Sequence, residues 1–247
     1  MAPRLDQWLV DQGRAATRRA GPRRAVRARA HRGASAPDTG CGLRGGRRVP
    51  RPVIYYIRHG LTDWNLEQRL QGRHDVPLNV AGCAQAACCA GILHDLFLRD
   101  GRAPESLAYV SSPLVRARKT MEIVRATLGL KPADYVVEAQ LAEIAFGEWE
   151  GLTYAQVMAR DERVVAARES DKWGFTPPGG ESYAEVAVRV RQWYTRLERD
   201  AVVAAHGGTA RALIAHLGLA APQDAAHYSI DHGVVYLFAE KRLTRYA

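Results

Sequence analysis

Arg58 and His59 follow a short apolar run, and their side chains are of the types that act on phosphate groups. The run from Val53 to Ile57 has the β-branched and aromatic residues of a buried strand. Open α/β sheets build their sites in loops at the carboxyl ends of such strands. A histidine there can attack a phosphorus atom, because one ring nitrogen is unprotonated near neutral pH. Taken alone, Arg58-His59-Gly60 fits equally well a histidine that merely ends a strand.

Three more polar residues stand at comparable places further along the chain. Arg116 falls in the first turn of the helix after the second predicted strand, Glu143 lies in the loop after the third, and His206 directly follows the fourth. In a mainly parallel sheet these loops share one edge. The sequence therefore predicts a crevice that holds two histidines, two arginines and one carboxylate.

Each of these residue types has a task in phosphoryl transfer, where charge spreads over three phosphoryl oxygens. Two guanidinium forks can hold those oxygens and stay charged throughout. One histidine can attack in line while the other donates hydrogen bonds, and a glutamic acid can protonate the leaving alkoxide. The sequence shows no metal-binding cluster, and this chemistry requires neither a metal nor a cofactor.

The elements that must position these residues alternate between strand and helix. Predicted strands cover 53–57, 107–110, 135–137, 201–205 and 234–239. Predicted helices follow Asn79, follow Ser112, cover 153–168 and 209–217, and begin at a capping box of Ser182 and Glu185. This order predicts an α/β fold, a three-layer sandwich with a mostly parallel central sheet.

Local patterns in the first two helices make two more specific predictions. Ser112 is the predicted N-cap of the second helix, with Pro113 as its first helical residue. The predicted buried face of the first helix consists of Val80, Ala84, Ala87, Cys88, Gly91 and Ile92.

The chain of 247 residues has a formal net charge of +9, which is concentrated at its amino end. Residues 1–52 hold 13 of the 35 basic residues, all of them arginine, and 3 of the 26 acidic ones. The rest of the chain holds 22 basic and 23 acidic residues, so its net charge is −1. We therefore expect no nucleic-acid binding through the globular part.

Residues 1–52 also lack apolar periodicity, and we expect an Arg-rich disordered extension followed by one domain over 53–247. Such a segment fits a basic tail that binds RNA or anionic lipid. It also fits a transit peptide, or translated sequence upstream of the true start. We favour an extension that is misassigned or has no function.

The four cysteines indicate a reducing environment. None forms a C-x-x-C pair, and Cys83, Cys88 and Cys89 fall within one predicted helix. This spacing suits neither a disulfide framework nor a zinc site, so we expect reduced, mostly buried thiols in a cytoplasmic protein. No run of about 18 apolar residues is present, and we expect no membrane span.

The segment Arg58-His59-Gly60-Leu61-Thr62 is the first of several ordered motifs that cover the chain from Val53 to Ala239. The others are Trp64-Asn65, Gln71-Gly72-Arg73, Pro77-Leu78 with Gly82, Ser111 to Ala117 with Thr120, Leu141 and Glu143 with Phe146 to Gly151, Gly179 to Ser182, and His206-Gly207-Gly208. Together they resemble the histidine phosphatase superfamily, in its phosphoglycerate mutase-like branch. The compact, acidic segment from Phe146 to Gly151 resembles the phosphatase and α-ribazole phosphatase members.

This resemblance implies roles for individual residues. His59 is then the nucleophile that becomes phosphorylated, and Glu143 is the proton donor, with Glu148 and Glu150 as rivals. The phosphate pocket consists of Arg58, Asn65, Arg116 and His206. Leu61 departs from the family pattern, because many members have an acidic residue there.

The resemblance also implies an activity, which is hydrolysis of phosphomonoesters without a cofactor. The substrate is then a small phosphorylated metabolite, and the protein is a monomer or homodimer. Phosphoglycerate mutase is the alternative, since it shares the chemistry and differs only in the acceptor. Five further histidines have no comparable partners and are expected to be structural or exposed, namely His74, His94, His216, His227 and His232. Of these, His232 lies near the last strand and can approach the site.

Overall fold

A six-stranded sheet forms the centre of the computed structural model, which describes residues 51–247. All but the last two residues of the predicted extension lie outside that range. The strands are β1 (Ile54–Arg58), β2 (Ala108–Ser111), β3 (Val136–Val137), β4 (Ala201–Ala205), β5 (Val235–Ala239) and β6 (Arg242–Tyr246). Their order is β3-β2-β4-β1-β5-β6. The first four are parallel, and the pairings of β1 with β5 and of β5 with β6 are antiparallel.

Helices cover both faces of this sheet, which confirms the predicted fold class. Within residues 51–247 they are α1 (Asp63–Leu66), α2 (Val80–Arg99), α3 (Val115–Thr127), α4 (Tyr154–Arg160), α5 (Glu162–Ser170), α6 (Tyr183–Tyr194), α7 (Gly207–His216) and α8 (Pro222–Ala226). Because side chains alternate along a strand, Tyr55 packs with α2 and α3 on one face. Tyr56 packs with α6, α7 and α8 on the other. A smaller apolar cluster lies under α4 and α5.

The register of the parallel strands places three loops side by side. Arg58 of β1 pairs with Ala205 of β4, and Ser111 of β2 pairs with Ala204. The three strands therefore end at nearly the same level. His59, which follows β1, thus leaves the sheet at the same edge as the residues that follow β2 and β4.

Several element boundaries differ from those predicted. The helix expected over 153–168 is broken into α4 and α5, because Asp161 is extended with a φ of −156° and its side chain caps α5. Helix α7 begins at Gly207, two residues before the predicted start. Helix α8 and strand β6 were not predicted at all, since both are five residues long and lack an apolar repeat.

Helix α2 begins at its predicted N-cap, Asn79, but its predicted buried face is wrong. Val80 is 89% exposed, and the residues that are buried are Gly82, Ala86, Cys89, Ala90, Leu93, Leu96 and Phe97. Most residues of this helix are small or apolar, so several stripes fit the sequence and the sheet selects one. Of the three described cysteines, which are all free, only Cys89 is buried, and the expectation of mostly buried thiols is also wrong.

Helix α2 is also the one helix within residues 51–247 whose length and composition would allow it to cross a membrane. Its residues Leu93 and Phe97 belong to the core cluster that includes Val202 of β4. Packing of this kind is expected of a core helix that covers a sheet.

Two glycines allow the loop after β1 to lie directly against α2. A Cβ atom on Gly60 would come within 2.1 Å of the carbonyl oxygen of Gly82. A Cβ atom on Gly82 would come equally close, at 2.1 Å, to the carbonyl oxygen of Leu61. Backbone therefore packs on backbone here, and this contact helps to position the Arg58-His59 segment.

We predict opposite effects of the same substitution at two positions of α2. Gly82→Ala should lower the free energy of unfolding by about 1–3 kcal/mol, because the new methyl group meets backbone that cannot move aside. Gly91→Ala should raise it by about 0.5–1 kcal/mol, since alanine favours the helix and its Cβ meets nothing within 4 Å. Urea denaturation of both variants checks this, and equal stability of the two would contradict the backbone contact.

Candidate active site

The loops at the carboxyl edge of β1, β2 and β4 enclose a cavity of about 140 Å³. Its walls are formed by Arg58, His59, Asn65, Arg69, Leu70, Gln71, Gly72, Arg116, Glu143, Phe146, Gly207 and Arg211. Five of the six predicted site residues are among them. The sixth is His206, whose ring centroid lies 5.2 Å from that of His59. The structure thus brings together all six residues from distant parts of the chain.

His59 is buried and held in one orientation. Its backbone N–H donates to the carbonyl of Ala205 at 2.9 Å, and its Nδ1 lies 2.7 Å from the carbonyl oxygen of Gly60. A carbonyl oxygen only accepts, so Nδ1 carries the ring proton and Nε2 keeps its lone pair. Burial and the charge of His206 hold the pKa of His59 well below its usual value. The ring is therefore neutral at pH 7, as a nucleophile requires.

Arg58 and Arg116 are positioned by backbone carbonyls. Arg116 is fully buried, and its Nη1 and Nη2 donate to the carbonyls of His74 at 2.6 Å and Gly72 at 2.8 Å. Arg58 donates from Nη1 to the carbonyl of Ile230 at 2.6 Å. Neither guanidinium forms an ion pair within the described part of the chain. Two positive charges thus face the cavity without counter-charges of their own.

The pKa values of both arginines are lowered. Burial and the nearby charge of Arg211 lower the pKa of Arg58 to about 10. Burial also lowers the pKa of Arg116. Both groups remain protonated at pH 7, and a bound anion would relieve the cost of burying them.

The ring of His206 is held by Ser112, which the sequence predicted as the N-cap of a helix. The Oγ atom of Ser112 lies 2.6 Å from His206 Nε2 and accepts a hydrogen bond from the N–H of Leu114. When its hydroxyl donates to Nε2, the ring proton lies on Nδ1. Ser112 is not the N-cap of α3, which begins at Val115 after Leu114. The predicted cap is wrong because the adjacent histidine ring competes for the hydroxyl.

Strand β1 holds the backbone of His206 as well. The hydroxyl of Tyr56 accepts from the N–H of His206 at 3.0 Å and lies 2.7 Å from its carbonyl oxygen. Thr209 Oγ1 also contacts this hydroxyl, at 2.6 Å. The first turn of α7 is thereby tied to the strand that ends in Arg58.

The carboxylate of Glu143 lies at the amino end of α7. Its Oε1 accepts from the N–H groups of Ile144 at 2.9 Å and Gly208 at 3.0 Å. A Cβ atom on Gly208 would come within 2.3 Å of that oxygen, so this approach requires glycine. Both N–H groups bind Oε1, and Oε2 is the oxygen that can exchange a proton.

The two rival carboxylates are placed differently. Glu150 Oε1 accepts from the N–H groups of Arg73 and Phe146, both at 3.0 Å, so this residue joins two loops. Glu148 is exposed and does not line the cavity. The geometry therefore favours Glu143 as the acid.

Asn65 also serves local structure. Its Oδ1 accepts from the N–H of Thr62 at 3.1 Å, within a capping box that begins α1. The amide Nδ2 is thus the group that can donate to a ligand in the cavity.

Sequence reasoning missed Arg69, Gln71 and Arg211 in the cavity wall. Arg211 stands four residues after Gly207 on α7, and residues at this spacing share a helix face. That spacing was the signal that could have identified it. Gln71 lies within a family motif but had no assigned task.

His232 is a further residue at the site, and it supports His59 directly. Its Nδ1 donates to the carbonyl of His59 at 2.6 Å, and the two ring centroids lie 5.2 Å apart. Burial and the charge of Arg58 lower the pKa of His232 to about 3. The sequence left open whether His232 is a structural or exposed histidine or one that approaches the site. The structure shows that it approaches the site.

Unpartnered polar atoms are concentrated around the same cavity. Among residues 51–247, the buried side-chain nitrogen and oxygen atoms without a hydrogen-bond partner are Arg58 Nε, Gln71 Oε1, Arg116 Nε and His206 Nδ1. The two arginine Nε–H groups can bind an anion, and His206 Nδ1 can do so when the Ser112 hydroxyl donates to Nε2. The same range holds no group of three or more His, Cys, Asp or Glu residues placed to bind a metal ion.

Comparison with known proteins identifies the family of this chain. Residues 54–242 match the family model of the histidine phosphatase superfamily, branch 1. The chain belongs to this superfamily.

The relatives of this superfamily member include both phosphatases and mutases. It is 34% identical over 184 residues to the bifunctional protein Rv2228c of Mycobacterium tuberculosis, across 74% of this chain and 46% of that protein, so it spans about half the length of this relative. It is 30% identical over 195 residues to 2,3-bisphosphoglycerate-dependent phosphoglycerate mutase 2 of Gloeobacter violaceus, across 75% of this chain and 84% of the mutase.

A solved structure of mycobacterial glucosyl-3-phosphoglycerate phosphatase in complex with VO3 is also similar. The TM-score is 0.64 with 30% identity, over 76% of this chain and 90% of the phosphatase.

We predict that His232 makes the stability of this histidine phosphatase superfamily member depend on pH. The unfolded chain takes up a proton at His232 below its usual pKa of 6.5, whereas the folded protein does not until about pH 3. Stability is thus present above pH 6.5 and is lost as the pH falls below it. His232→Gln should reduce the slope of unfolding free energy against pH by about 1.4 kcal/mol per pH unit in this window.

The measurement is urea denaturation between pH 7 and pH 4.5. His94→Gln is the matched control, since it removes an exposed histidine of α2 and should keep the wild-type slope. The same slope in His232→Gln and His94→Gln would contradict the prediction.

Proposed function

We propose that the protein is a phosphomonoester hydrolase that forms a covalent phosphohistidine on His59. The observation that carries this proposal is the neutral, oriented His59 beside the buried, unpartnered Nε–H groups of Arg58 and Arg116 and the unpartnered Nδ1 of His206. A phosphoryl group in the cavity would supply the acceptors that those groups lack. The substrate is a small phosphorylated metabolite, and all the chemistry below uses the chain's own residues.

In the first step His59 Nε2 attacks phosphorus, the N–P bond forms and the bond to the ester oxygen breaks. Arg58, Arg116 and His206 Nδ1 hold the phosphoryl oxygens, with Asn65 as a further donor. The positive charge that develops on the imidazole is stabilised through Nδ1–H by the Gly60 carbonyl.

Glu143 Oε2 gives its proton to the leaving oxygen, which otherwise departs as an unstable alkoxide. In the second step the Glu143 carboxylate takes a proton from water while the water oxygen attacks phosphorus and the N–P bond breaks. Inorganic phosphate is released, and Glu143 is protonated again for the next cycle.

A phosphoglycerate mutase is the second candidate, because the mutase of Gloeobacter violaceus is among the relatives. The two activities share the phosphohistidine and differ in whether water or a second substrate hydroxyl accepts the phosphoryl group. A panel of phosphate esters, assayed with and without 2- or 3-phosphoglycerate as acceptor, separates them. Release of inorganic phosphate without an acceptor supports the hydrolase, and transfer without release supports the mutase.

We predict that His59→Ala abolishes turnover and leaves the fold unchanged. Wild-type protein quenched during turnover should carry phosphate that is labile in acid and stable in base, as phosphohistidine is. Mass spectrometry should place it on His59. Undiminished labelling of His59→Ala would show that the nucleophile lies elsewhere, and His94→Ala is the control that should label normally.

We predict that Glu143→Gln discriminates between substrates by their leaving groups. General acid catalysis contributes roughly 10²–10⁴-fold, so kcat/KM for an alkyl phosphate such as glycerol phosphate should fall by about that factor. The kcat/KM for p-nitrophenyl phosphate should fall much less, because nitrophenolate departs without a proton. The parameter kcat/KM reports formation of the phosphohistidine and not its hydrolysis, in which Glu143 serves as base for both substrates. Equal losses on both substrates would exclude proton donation, and a selective loss in Glu150→Gln would move the role there.

A further inference from the structure

The loop that carries Glu143 is held by a single arginine at two of its carbonyls. Arg189, in the middle of α6, donates from Nη1 to the carbonyl of Gln140 at 2.6 Å. Its Nη2 lies 3.2 Å from the carbonyl oxygen of Glu143 itself. One guanidinium group thus spans the backbone from the start of the loop to the candidate acid.

A carboxylate completes this attachment from the other side. Glu181 precedes the N-cap of α6, and its Oε2 accepts from the N–H of Ala145 at 3.0 Å. Arg189 also pairs with Glu181 through two parallel contacts of 3.2 Å, Nε to Oε1 and Nη2 to Oε2. The loop backbone is therefore held on both sides of Glu143 by two side chains that are themselves paired.

The same carboxylate reaches the loop that positions Arg116. Arg73 donates from Nη2 to Glu181 Oε2 at 2.9 Å, and its neighbours Gly72 and His74 supply the two carbonyls that hold Arg116. Glu181 thus links the loop of the acid to that of a phosphate-binding arginine.

The pair is well shielded from solvent. The side chains of Arg189 and Glu181 are 15% and 23% exposed. Burial alone would raise the pKa of Glu181, but the Ala145 N–H and the charges of Arg73 and Arg189 hold it below its usual value. Glu181 is ionised at pH 7, and charge-assisted bonds of this kind are stronger than neutral ones.

We infer that Arg189 and Glu181 are positioning residues for the proton donor, because they fix the backbone on both sides of Glu143. The inference rests on the proposed role of Glu143. His59 does not depend on this pair, since its own contacts run to Ala205, Gly60 and His232. Loss of Arg189 should displace the acid and leave the nucleophile in place.

This separation makes the inference testable by leaving group. A displacement of about 1 Å can cost roughly 10²-fold, so Arg189→Met should lower kcat/KM for glycerol phosphate by about 10- to 100-fold. The kcat/KM for p-nitrophenyl phosphate, whose leaving group needs no proton, should change little, since kcat/KM does not include hydrolysis of the phosphohistidine. A merely structural role would lower both rates together.

Arg196→Met is the matched control. Arg196 also reaches this part of the chain from the same side, but it contacts only the side chains of Glu138 and Gln140, and it is 62% exposed. Its replacement should leave the ratio of the two rates unchanged. A selective loss in Arg196→Met as large as in Arg189→Met would overturn the inference.

The double variant Arg189→Met with Glu143→Gln gives a second test. If Arg189 acts through Glu143, the double variant should be no slower on glycerol phosphate than Glu143→Gln alone. Additive losses, or equal losses on both substrates in Arg189→Met, would overturn the inference.

Two further controls keep the result interpretable. If thermal denaturation shows that Arg189→Met does not fold, Arg189→Lys is used, because lysine keeps the charge and loses the fork that spans both carbonyls. The same selective loss is then expected, and its absence counts against the inference. If Glu143→Gln shows no selectivity while Arg189→Met does, Glu143 is not the proton donor. The inference that Arg189 positions Glu143 is then overturned, whereas the proposed phosphohistidine on His59 is unaffected.

Discussion

The parallel pairing of β1 with β4 is the contact on which the candidate site depends. Arg58 lies opposite Ala205, so the first residues after each strand, His59 and His206, emerge as neighbours. The hydrogen bond from the His59 N–H to the Ala205 carbonyl extends this pairing by one step. A shift of register by one residue would turn each of these side chains to the other face of the sheet.

Buried positive charge is the second constraint on this part of the molecule. Arg58 and Arg116 are anchored by carbonyls, which satisfy some N–H groups but leave the charge unbalanced. Such an arrangement is costly in the free protein, and a bound phosphoryl group would remove much of that cost. Elsewhere partly buried charges are paired, as with Arg189 and Glu181. This contrast supports the proposal that Arg58 and Arg116 bind the phosphoryl group.

Local sequence patterns predicted the parts of the fold that depend on neighbouring residues. Strand β4 was predicted with its observed bounds, and the caps at Asn79 and at Ser182 with Glu185 are confirmed. Patterns failed where distant groups compete for the same residue. Ser112 has the sequence of an N-cap but binds the His206 ring, and α2 has several apolar stripes of which the sheet covers one.

The sequence by itself predicted the fold class and five of the six residues proposed for phosphoryl transfer, because these follow from residue types placed at the ends of predicted strands. Its ordered motifs indicated the family and, through that resemblance, Asn65. Only the tertiary structure decided which carboxylate lies at the amino end of α7 and which tautomer His59 adopts. It also revealed the support from His232 and Arg189, which lie 173 and 46 residues from the groups they hold. Contacts over such separations leave no local pattern, since they arise only when the sheet brings its loops to one edge.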